Sequence, residues 1–367
     1  MKIAICHEHI FAGDAIGNDI VGMAEVLIEL GIEIHLIGEN IAESISSLFP
    51  VIEDFDNLNL CQFKILIYHH STFWKRGKNL LNNFSGSIIF KYHNITPEYF
   101  YKPYSKIYYE HCLKGRKQTL ELVSQFSSAI WLADSEYNRL ELIHQNPNLL
   151  YSKVVPPFHK HDFVPREFCV EKKRPPSFLF VSRIAPNKGH KALIRIFKEY
   201  LIKYNNDASL VIIGGTDPNL KKYQNELIKL INELEISSRI YWKKNLTDLE
   251  LKEYYLNADA FLCFSEHEGF CVPLIESQSI GLPVLSTSTS AIDETLGPDQ
   301  LIEQYPTRDV DYLFYAKVLN EVMINTELKK EVIDRGYMNF LSRFSRERIS
   351  DCFVESILST LMESAKE

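Results

Sequence analysis

The chain has 367 residues, of which 46% are hydrophobic and 24% charged, a composition typical of globular proteins. Its net charge of −8 and isoelectric point near 5.9 argue against a general nucleic-acid binder, which would carry a basic surface. No stretch reaches the ~18 consecutive apolar residues of a membrane-spanning helix. Seven cysteines without a CxxC pair predict reduced thiols, so we expect a cytoplasmic protein.

The first half of the chain alternates strand-like runs with helical patterns. Apolar runs rich in Ile, Val and aromatic residues lie at 2–6, 32–38, 63–70, 86–93, 128–134 and 153–157. Between the first two runs, apolar side chains recur at every third or fourth position of 18–30, which predicts an amphipathic helix. Buried strands that alternate with helices are typical of a parallel sheet covered on both faces.

A proline-rich stretch then interrupts this alternation, and the length also favours two domains because single cores rarely exceed ~250–300 residues. Further strand-like runs follow at 177–183, 209–215, 239–243, 258–265 and 282–286, with helical patterns at 192–204 and 223–235. We therefore predict four parts: an N-terminal domain (1–160), a hinge (161–176), a C-terminal domain (177–345) and a final helix (346–367).

Residues 261–286 combine a strand, a turn and a helix in an order that predicts a phosphate site. The turn contains Glu268 and Gly269, and Pro273 suits the first turn of a helix. Phosphates bind the unpaired backbone N–H groups of helix N-termini, which here would be those of Phe270, Cys271 and Val272. Glu276, one turn into the helix, could accept hydrogen bonds from ribose or sugar hydroxyls.

Glu268 and Glu276 have two other interpretations. Carboxylates at a helix start are often simply solvated and favoured by the helix dipole, but the strand–turn–proline–helix context favours a ligand site. Spacing disfavours a glycosidase pair, since eight residues rise ~12 Å if they are fully helical, whereas hydrolase carboxylates lie ~5–9.5 Å apart.

Two cations follow the first strand of the C-terminal domain. Arg183 lies at the end of that strand and Lys188 in the loop before the next helix. Cations placed there can neutralise a pyrophosphate, and Arg can do so with two parallel hydrogen bonds. Exposed loop cations are the alternative interpretation, but the glutamate motif downstream favours a nucleotide site.

Three motifs thus occur in order: Arg183–x4–Lys188, Gly214–Gly215 after a strand, and Glu268–x7–Glu276. Together they resemble the family-4 retaining glycosyltransferases. This resemblance covers nearly the whole chain and implies an α/β protein of the GT-B fold, in which two Rossmann-like βαβ domains face a cleft. It also implies that the final helix crosses back to the N-terminal domain.

The resemblance assigns roles to these residues. It implies that Arg183 and Lys188 clamp the diphosphate of a nucleotide-sugar donor. Glu268 would bind the hydroxyls of the donor sugar and Glu276 the nucleotide ribose. The segment 244–246, which ends at Leu246, would border the base.

The N-terminal domain carries two further matches. The glycine turn with Gly13 and Gly17 resembles the family's loop near the donor phosphates and the acceptor. Its spacing is not GxGxxG, so it does not favour a nicotinamide enzyme. His93 resembles the histidine that contacts the donor sugar, although a lone histidine is more often structural. The sequence HNITP, which begins at His93, resembles that of bacterial surface-polysaccharide enzymes, several of them mannosyltransferases.

The activity implied is retaining transfer of a hexose to a hydroxyl of a glycan or glycolipid, in bacterial polysaccharide or lipopolysaccharide assembly. GDP-mannose is favoured slightly over a UDP-hexose as donor. A GT-B sugar-nucleotide epimerase and a non-catalytic sugar-nucleotide-binding protein are the alternatives.

No pair of histidines has the spacing of a zinc finger or an HExxH helix, so we expect no metal and no cofactor besides the donor. Nucleic acid is not expected as a partner. The aromatic and basic stretch 99–117 could contact a lipid-linked acceptor or the inner membrane face, which would make the protein peripheral. A partly solvated helix and loop is the alternative for that stretch.

Overall fold

A computed structural model describes residues 1–160, 174–298, 300–303 and 311–364. These residues divide into two compact units. The first unit comprises 1–97, 110–160 and 344–364, and the second comprises 98–109 and the described part of 174–343. Most of the predicted hinge, 161–173, lies outside the described residues.

The first unit is built on a parallel sheet. Its strands are β1 (Lys2–Cys6), β2 (His9–Ile10), β3 (Glu33–Ile37), β4 (Asn40–Ile41), β5 (Val51–Ile52), β6 (Ile65–His70), β7 (Ser87–Tyr92), β8 (Ile130–Ala133) and β9 (Tyr151–Val154). The main sheet has the order β5-β3-β1-β6-β7-β8-β9, and β2 and β4 form a separate parallel pair. Because all these strands run parallel, their carboxyl ends meet at one edge of the sheet.

Helices cover this sheet and supply its core. They are α1 (Ala15–Glu29), α2 (Glu43–Ser46), α3 (Lys75–Asn83), α4 (Lys106–Gln125), α5 (Glu136–Gln145) and, at the end of the chain, α13 (Arg346–Ser364). Ile20 and Leu27 of α1 are fully buried in the same core as Ile349 and Phe353 of α13. The last helix therefore completes the core of the unit that the chain begins with.

The second unit is also a parallel sheet covered by helices. Its strands are β10 (Ser177–Val181), β11 (Ser209–Ile213), β12 (Ile240–Lys243), β13 (Ala260–Cys263), β14 (Val284–Thr287) and β15 (Leu301–Glu303), in the order β12-β11-β10-β13-β14-β15. Its helices are α6 (His190–Lys203), α7 (Lys221–Glu233), α8 (Asp248–Asn257), α9 (Val272–Ser279), α10 (Ile292–Leu296), α11 (Tyr312–Ile324) and α12 (Thr326–Arg343).

Each predicted strand run overlaps an observed strand, and the expectation of two Rossmann-like α/β domains is confirmed. The sequence patterns did not reveal α8 or β15. Helix α8 has little apolar periodicity, since only Tyr255 of its ten residues is buried. None of the described helices is both long and apolar enough to cross a membrane.

The segment 98–109, hereafter the tyrosine segment, differs from the predicted division, which placed it in the N-terminal domain. It packs in the second unit because its hydroxyl groups bind acceptors there. Tyr108 donates to Asp217 at 2.7 Å, and Tyr104 donates to Glu226 at 3.2 Å. These contacts join sequence positions more than 100 residues apart, so no local pattern could reveal them.

Candidate functional site

The second unit holds Lys188 against Glu268. The Lys188 ammonium donates to both carboxylate oxygens at 2.8 Å each. Both side chains are largely buried, with 18% of Lys188 and 7% of Glu268 exposed. Burial alone would lower the pKa of Lys188, but the neighbouring Glu268 and Cys271 outweigh it and raise that pKa above its ordinary value. The structure thus brings together two residues predicted 80 positions apart.

The backbone around Lys188 explains this approach. Lys188 ends a 3₁₀ turn (Pro186–Lys188) after β10, and Gly189 follows with a φ of 67°. A Cβ atom on Gly189 would lie 1.7 Å from the carbonyl oxygen of Phe264, so only glycine lets this turn contact the end of β13. Asn187 then joins the two loops, because its amide donates to the His267 carbonyl at 3.1 Å.

Glu268 is fixed by its own loop. Its backbone N–H donates to the Ser290 hydroxyl at 2.8 Å, and its carbonyl accepts from Ala291 at 3.4 Å. Thr289, from the same stretch after β14, donates to the Ser265 carbonyl at 2.7 Å. The loops after β10, β13 and β14 therefore set the position of the carboxylate before any ligand arrives.

Helix α9 begins beside this pair. Cys271 is its N-cap residue, with a φ of 79°, and Pro273 lies in its first turn as the sequence predicts. No described side chain caps this helix end. A helix N-terminus without a side-chain cap attracts anions, because N–H groups and the positive end of the dipole point outward. The backbone N–H groups predicted to bind phosphate, from Gly269 to Val272, thus directly follow Glu268 in sequence and lie at the start of the helix.

Glu276 has a different neighbour. It is buried, and one carboxylate oxygen accepts a hydrogen bond from the Tyr255 hydroxyl at 2.7 Å. Burial raises the pKa of Glu276 to about 7, because no described cation offsets the cost of desolvating the charge. Sequence reasoning found this glutamate but missed Tyr255, which the unpatterned helix α8 supplies.

Arg183 is exposed, and no hydrogen bond or ion pair joins its side chain to another described residue. It lies close enough to act on Asp217 electrostatically. Burial tends to raise the pKa of Asp217, but hydrogen bonds from Tyr108 and Asn219 and the charge of Arg183 together lower it. Arg183 is therefore a cation with free donors near the tyrosine segment.

The remaining predicted positions of the second unit make backbone or core contacts, and their ligand roles stay predictions. A Cβ on Gly214 would lie 1.8 Å from the Ser182 carbonyl oxygen, so this glycine permits the ends of β10 and β11 to approach. Gly215 has open space around its Cα and accepts a hydrogen bond from Ile184 at 3.0 Å. Leu246 is half-buried against the hydrophobic core.

In the first unit, Gly13 and Gly17 shape the turn before α1. Gly13 has a φ of 84°, and a Cβ on Gly17 would lie 1.8 Å from the Phe11 carbonyl oxygen. The Asp14 side chain caps the helix by accepting from the Gly17 N–H at 2.6 Å. Local geometry alone therefore requires both glycines, whatever ligand the turn approaches.

His93 lies in a buried polar cluster of the first unit, with 5% of its side chain exposed. Its Nδ1 is 3.0 Å from Asp134 and its Nε2 is 2.8 Å from Nδ1 of His69. Burial lowers the pKa of His69 well below its ordinary value, so His69 is neutral. We assign the tautomers from this network: His93 donates to Asp134 and accepts from His69, and both of its ring nitrogens are engaged.

Lys91 completes the cluster from strand β7. It is fully buried, lies 2.6 Å from Asp134, and donates to the Val155 carbonyl. Burial tends to raise the pKa of Asp134, but His93 and Lys91 outweigh this effect and lower it. Burial raises the pKa of Asp19, 3.8 Å from Lys91, in spite of that cation.

Sequence reasoning missed this cluster except for His93. A signal was present, because Lys91 interrupts an otherwise apolar strand and Asp134 directly follows the next one. Potential metal ligands lie within 4.8 Å of one another in two places in the described residues: Asp19, His69 and His93, and Cys263, Glu268 and Cys271. An ammonium lies beside a carboxylate in both groups, Lys91 at Asp19 and Lys188 at Glu268, so a further cation in either group must compete with that ammonium.

Parts of this chain are similar to known proteins. Residues 166–338 match the family model of the glycosyl transferases group 1, and this range contains both the Arg183–Lys188 and the Glu268–Glu276 motifs. A serotype-specific mannosyltransferase, WbdA of Escherichia coli, is 33% identical over 110 residues, which cover 30% of this chain and 13% of WbdA. The O-antigen chain mannosyltransferase RfbU of Salmonella typhimurium is 26% identical, over 56% of this chain and 53% of its own.

The chain spans about half or less of the length of these two relatives. Among solved structures, Anabaena Alr3699/HepE in complex with UDP and glucose superimposes with a TM-score of 0.74 at 14% identity, covering 98% of this chain and 100% of that one. At this identity the likeness concerns the fold, and it confirms the GT-B architecture that the resemblance implied. The chain therefore has the GT-B fold, and its residues 166–338 are similar to the group 1 glycosyl transferases.

Proposed function

We propose that this protein is a retaining hexosyltransferase that uses a nucleotide-sugar donor. The observation that carries the proposal is the Lys188–Glu268 pair, preset beside the uncapped start of α9. The names of WbdA and RfbU favour a mannosyl donor and an acceptor hydroxyl in bacterial surface-polysaccharide assembly. UDP and glucose in the HepE structure keep a UDP-hexose as the second donor to test.

In this proposal, the second unit stabilises the negative charge of the leaving diphosphate. Loss of the diphosphate from the donor sugar places charge on the phosphate oxygens, and fixed cations and N–H groups lower the barrier to that step. Lys188 uses two of its donors on Glu268, and Arg183 is free in the described residues. Both side chains, with the start of α9, would receive the leaving diphosphate, while Glu268 holds the sugar hydroxyls.

Retention follows in this proposal if the acceptor hydroxyl attacks the face from which the diphosphate departs. A phosphate oxygen then takes the acceptor proton, so the protein needs no general base at that position. Glu276 would bind the ribose of the nucleotide, and its bond to Tyr255 keeps the carboxyl in place. No metal or other cofactor takes part in this scheme.

The predicted contact of His93 with the donor sugar stays a prediction. Asp134 and His69 engage both ring nitrogens, so a sugar contact needs either a ring C–H group or displacement of His69. Peripheral membrane contact through 99–117 stays a prediction as well. The tyrosine segment uses part of that stretch for packing in the second unit, which favours the structural interpretation.

Binding of nucleotide sugars to the full chain tests the proposal. Thermal unfolding is measured with UDP, GDP and ADP sugars in turn, without acceptor. A specific donor stabilises the folded state by about 2.7 kcal/mol at a hundredfold excess over its Kd. Arg183→Ala should remove this stabilisation, whereas Arg348→Ala, an exposed arginine of the first unit, should keep it.

Three results would contradict the proposal. The first is well-folded protein that no nucleotide sugar stabilises. The second is donor conversion without any acceptor into an epimeric sugar nucleotide, which would favour the epimerase alternative. Binding without turnover of any donor would favour the non-catalytic alternative.

A further inference from the structure

Two cysteines meet at the proposed donor site. The Cys263 and Cys271 sulfur atoms lie 3.9 Å apart, although the two residues are eight positions apart in the sequence. Cys263 is the last residue of β13 and is buried, and Cys271 is the N-cap residue of α9. A carboxylate oxygen of Glu268 lies within 4.8 Å of both sulfur atoms.

The backbone of Cys271 makes this thiol unusual. Its φ of 79° is in the left-handed region, which glycine adopts freely and other residues adopt with strain. A glycine would therefore adopt this turn with less strain, whereas cysteine adds a thiol to the site at the cost of backbone strain. Strained residues of this kind cluster at functional sites.

The sulfur separation distinguishes two uses of the pair. A disulfide requires ~2.05 Å between the sulfur atoms, so the pair is nearly 2 Å too far apart for that bond without movement. Tetrahedral coordination with metal–sulfur bonds of ~2.3 Å places two sulfur ligands ~3.8 Å apart. The observed 3.9 Å matches the second case.

Thiols bind a divalent cation as thiolates, so binding must release their protons. The Cys263 and Cys271 sulfur atoms already lie within hydrogen-bonding distance of each other. Two thiols and one divalent cation therefore give a dithiolate complex and two protons. Glu268 supplies a third ligand and water a fourth.

We propose that Cys263, Cys271 and Glu268 form a binding site for a thiophilic divalent cation such as Zn²⁺. Lys188 now holds both carboxylate oxygens of Glu268, so the cation must take that carboxylate from Lys188. Cation binding would thus disable the charge clamp, and it competes with the nucleotide-sugar donor. Only this competition rests on the proposed function, whereas the site itself rests on the three ligands.

Cobalt absorption tests the site directly. Co²⁺ is titrated into the reduced full-length protein under anaerobic conditions. We expect sulfur-to-cobalt charge-transfer absorption in the near ultraviolet and strong visible bands of a tetrahedral complex, saturating at one equivalent and reversed by Zn²⁺. Release of two protons per cation should accompany the titration.

Variants assign the ligands. Cys271→Gly suits the backbone at this position and should fold, and it should abolish the charge-transfer band, as should Cys263→Ala. Cys61→Ala, which removes an exposed cysteine remote in sequence, should keep it. Circular dichroism checks the fold of each variant.

The two proposals fail in different ways. If the charge-transfer band is absent, or persists in Cys271→Gly, the cation site is wrong whatever the donor does. If the band is present but no nucleotide sugar binds in the thermal panel, the donor proposal fails and the cation site stands. If both bind, donor should raise the Co²⁺ concentration at half-saturation at least severalfold, and the lack of any such shift would overturn the competition.

Discussion

Each unit of this molecule buries a lysine against a carboxylate near the carboxyl ends of its parallel strands. In the first unit, Lys91 is fully buried and Asp134 is 6% exposed. In the second unit, 18% of Lys188 and 7% of Glu268 are exposed. Similar chemistry at equivalent edges of two sheets therefore occurs in two different environments.

The difference lies in how each lysine is held. Lys91 lies within strand β7 and also donates to the Val155 carbonyl, so the fold fixes it and water does not reach it. Lys188 lies in a 3₁₀ turn, is partly open to solvent, and binds the two oxygens of a single carboxylate. The first pair is built as a structural element, whereas the second can exchange its partner for a ligand.

The largest effect on stability is expected in the first unit. Asp134→Asn removes the nearest counter-ion of the buried Lys91 and leaves Asp19 at 3.8 Å, and breaking a buried pair costs about 3–5 kcal/mol of the free energy of unfolding. Denaturant unfolding followed by tryptophan fluorescence measures this loss. Glu121→Gln, which breaks the exposed pair with Lys78, should cost at most about 1 kcal/mol. Equal losses of unfolding free energy in Asp134→Asn and Glu121→Gln would contradict a structural role for the Lys91–Asp134 pair.

The next effect concerns Glu276, a buried acid that lacks the cation found in both pairs. The folded state keeps its proton up to a pKa of about 7, while the unfolded state loses it near the ordinary value of 4.5. Between these values the unfolded state binds fewer protons, so wild-type stability falls as pH rises from about 4.5 to 7. Glu276→Gln does not titrate and can still accept from Tyr255.

The free energy of unfolding of Glu276→Gln relative to wild type should therefore rise by roughly 3 kcal/mol between about pH 4.5 and 7 and stay constant above pH 7. Unfolding at pH 5 and pH 8 measures the difference. Glu253→Gln, an exposed change on α8, should show no such trend. A pH-independent difference for Glu276→Gln would mean that the carboxyl is charged throughout and that burial does not set its pKa.

The smallest effect tests the tyrosine segment. Tyr108→Phe removes one hydrogen bond to Asp217, and such bonds contribute about 0.5–1.5 kcal/mol. The melting temperature should fall slightly, while Tyr99→Phe, at a side chain that is largely exposed, should leave it unchanged. If Tyr108→Phe leaves the melting temperature unaltered and Tyr99→Phe lowers it, the segment is anchored differently.

Several residues of the candidate site in the second unit could be predicted from sequence because they lie close together in the chain. Glu268, Cys271 and Glu276 lie on one strand–turn–helix stretch, and turn and capping residues mark that stretch plainly. The pairing of Glu268 with Lys188 could not be predicted from either segment, since it depends on parallel strands that bring distant loops to one edge.

The cluster around His93 shows the opposite case. Asp19 lies on α1, Lys91 on β7 and Asp134 after β8, and each alone looks like an ordinary charged residue. Their role in an ion-pair cluster can be recognised only when their burial is known, because a buried charge is stable only when it is paired. The tyrosine segment likewise joins the second unit through contacts that no local pattern encodes.

The most direct test of the donor site is the rate at which the full chain consumes its nucleotide sugar in the presence of acceptor, compared among three proteins. We expect Lys188→Ala to lose about 10²–10³-fold in turnover, as for removal of one charge-stabilising donor, with its circular dichroism spectrum unchanged. Lys203→Ala, which removes an exposed lysine of α6, should match wild type. Undiminished turnover in Lys188→Ala would contradict the account, because the ion pair would then be structural like that of Lys91.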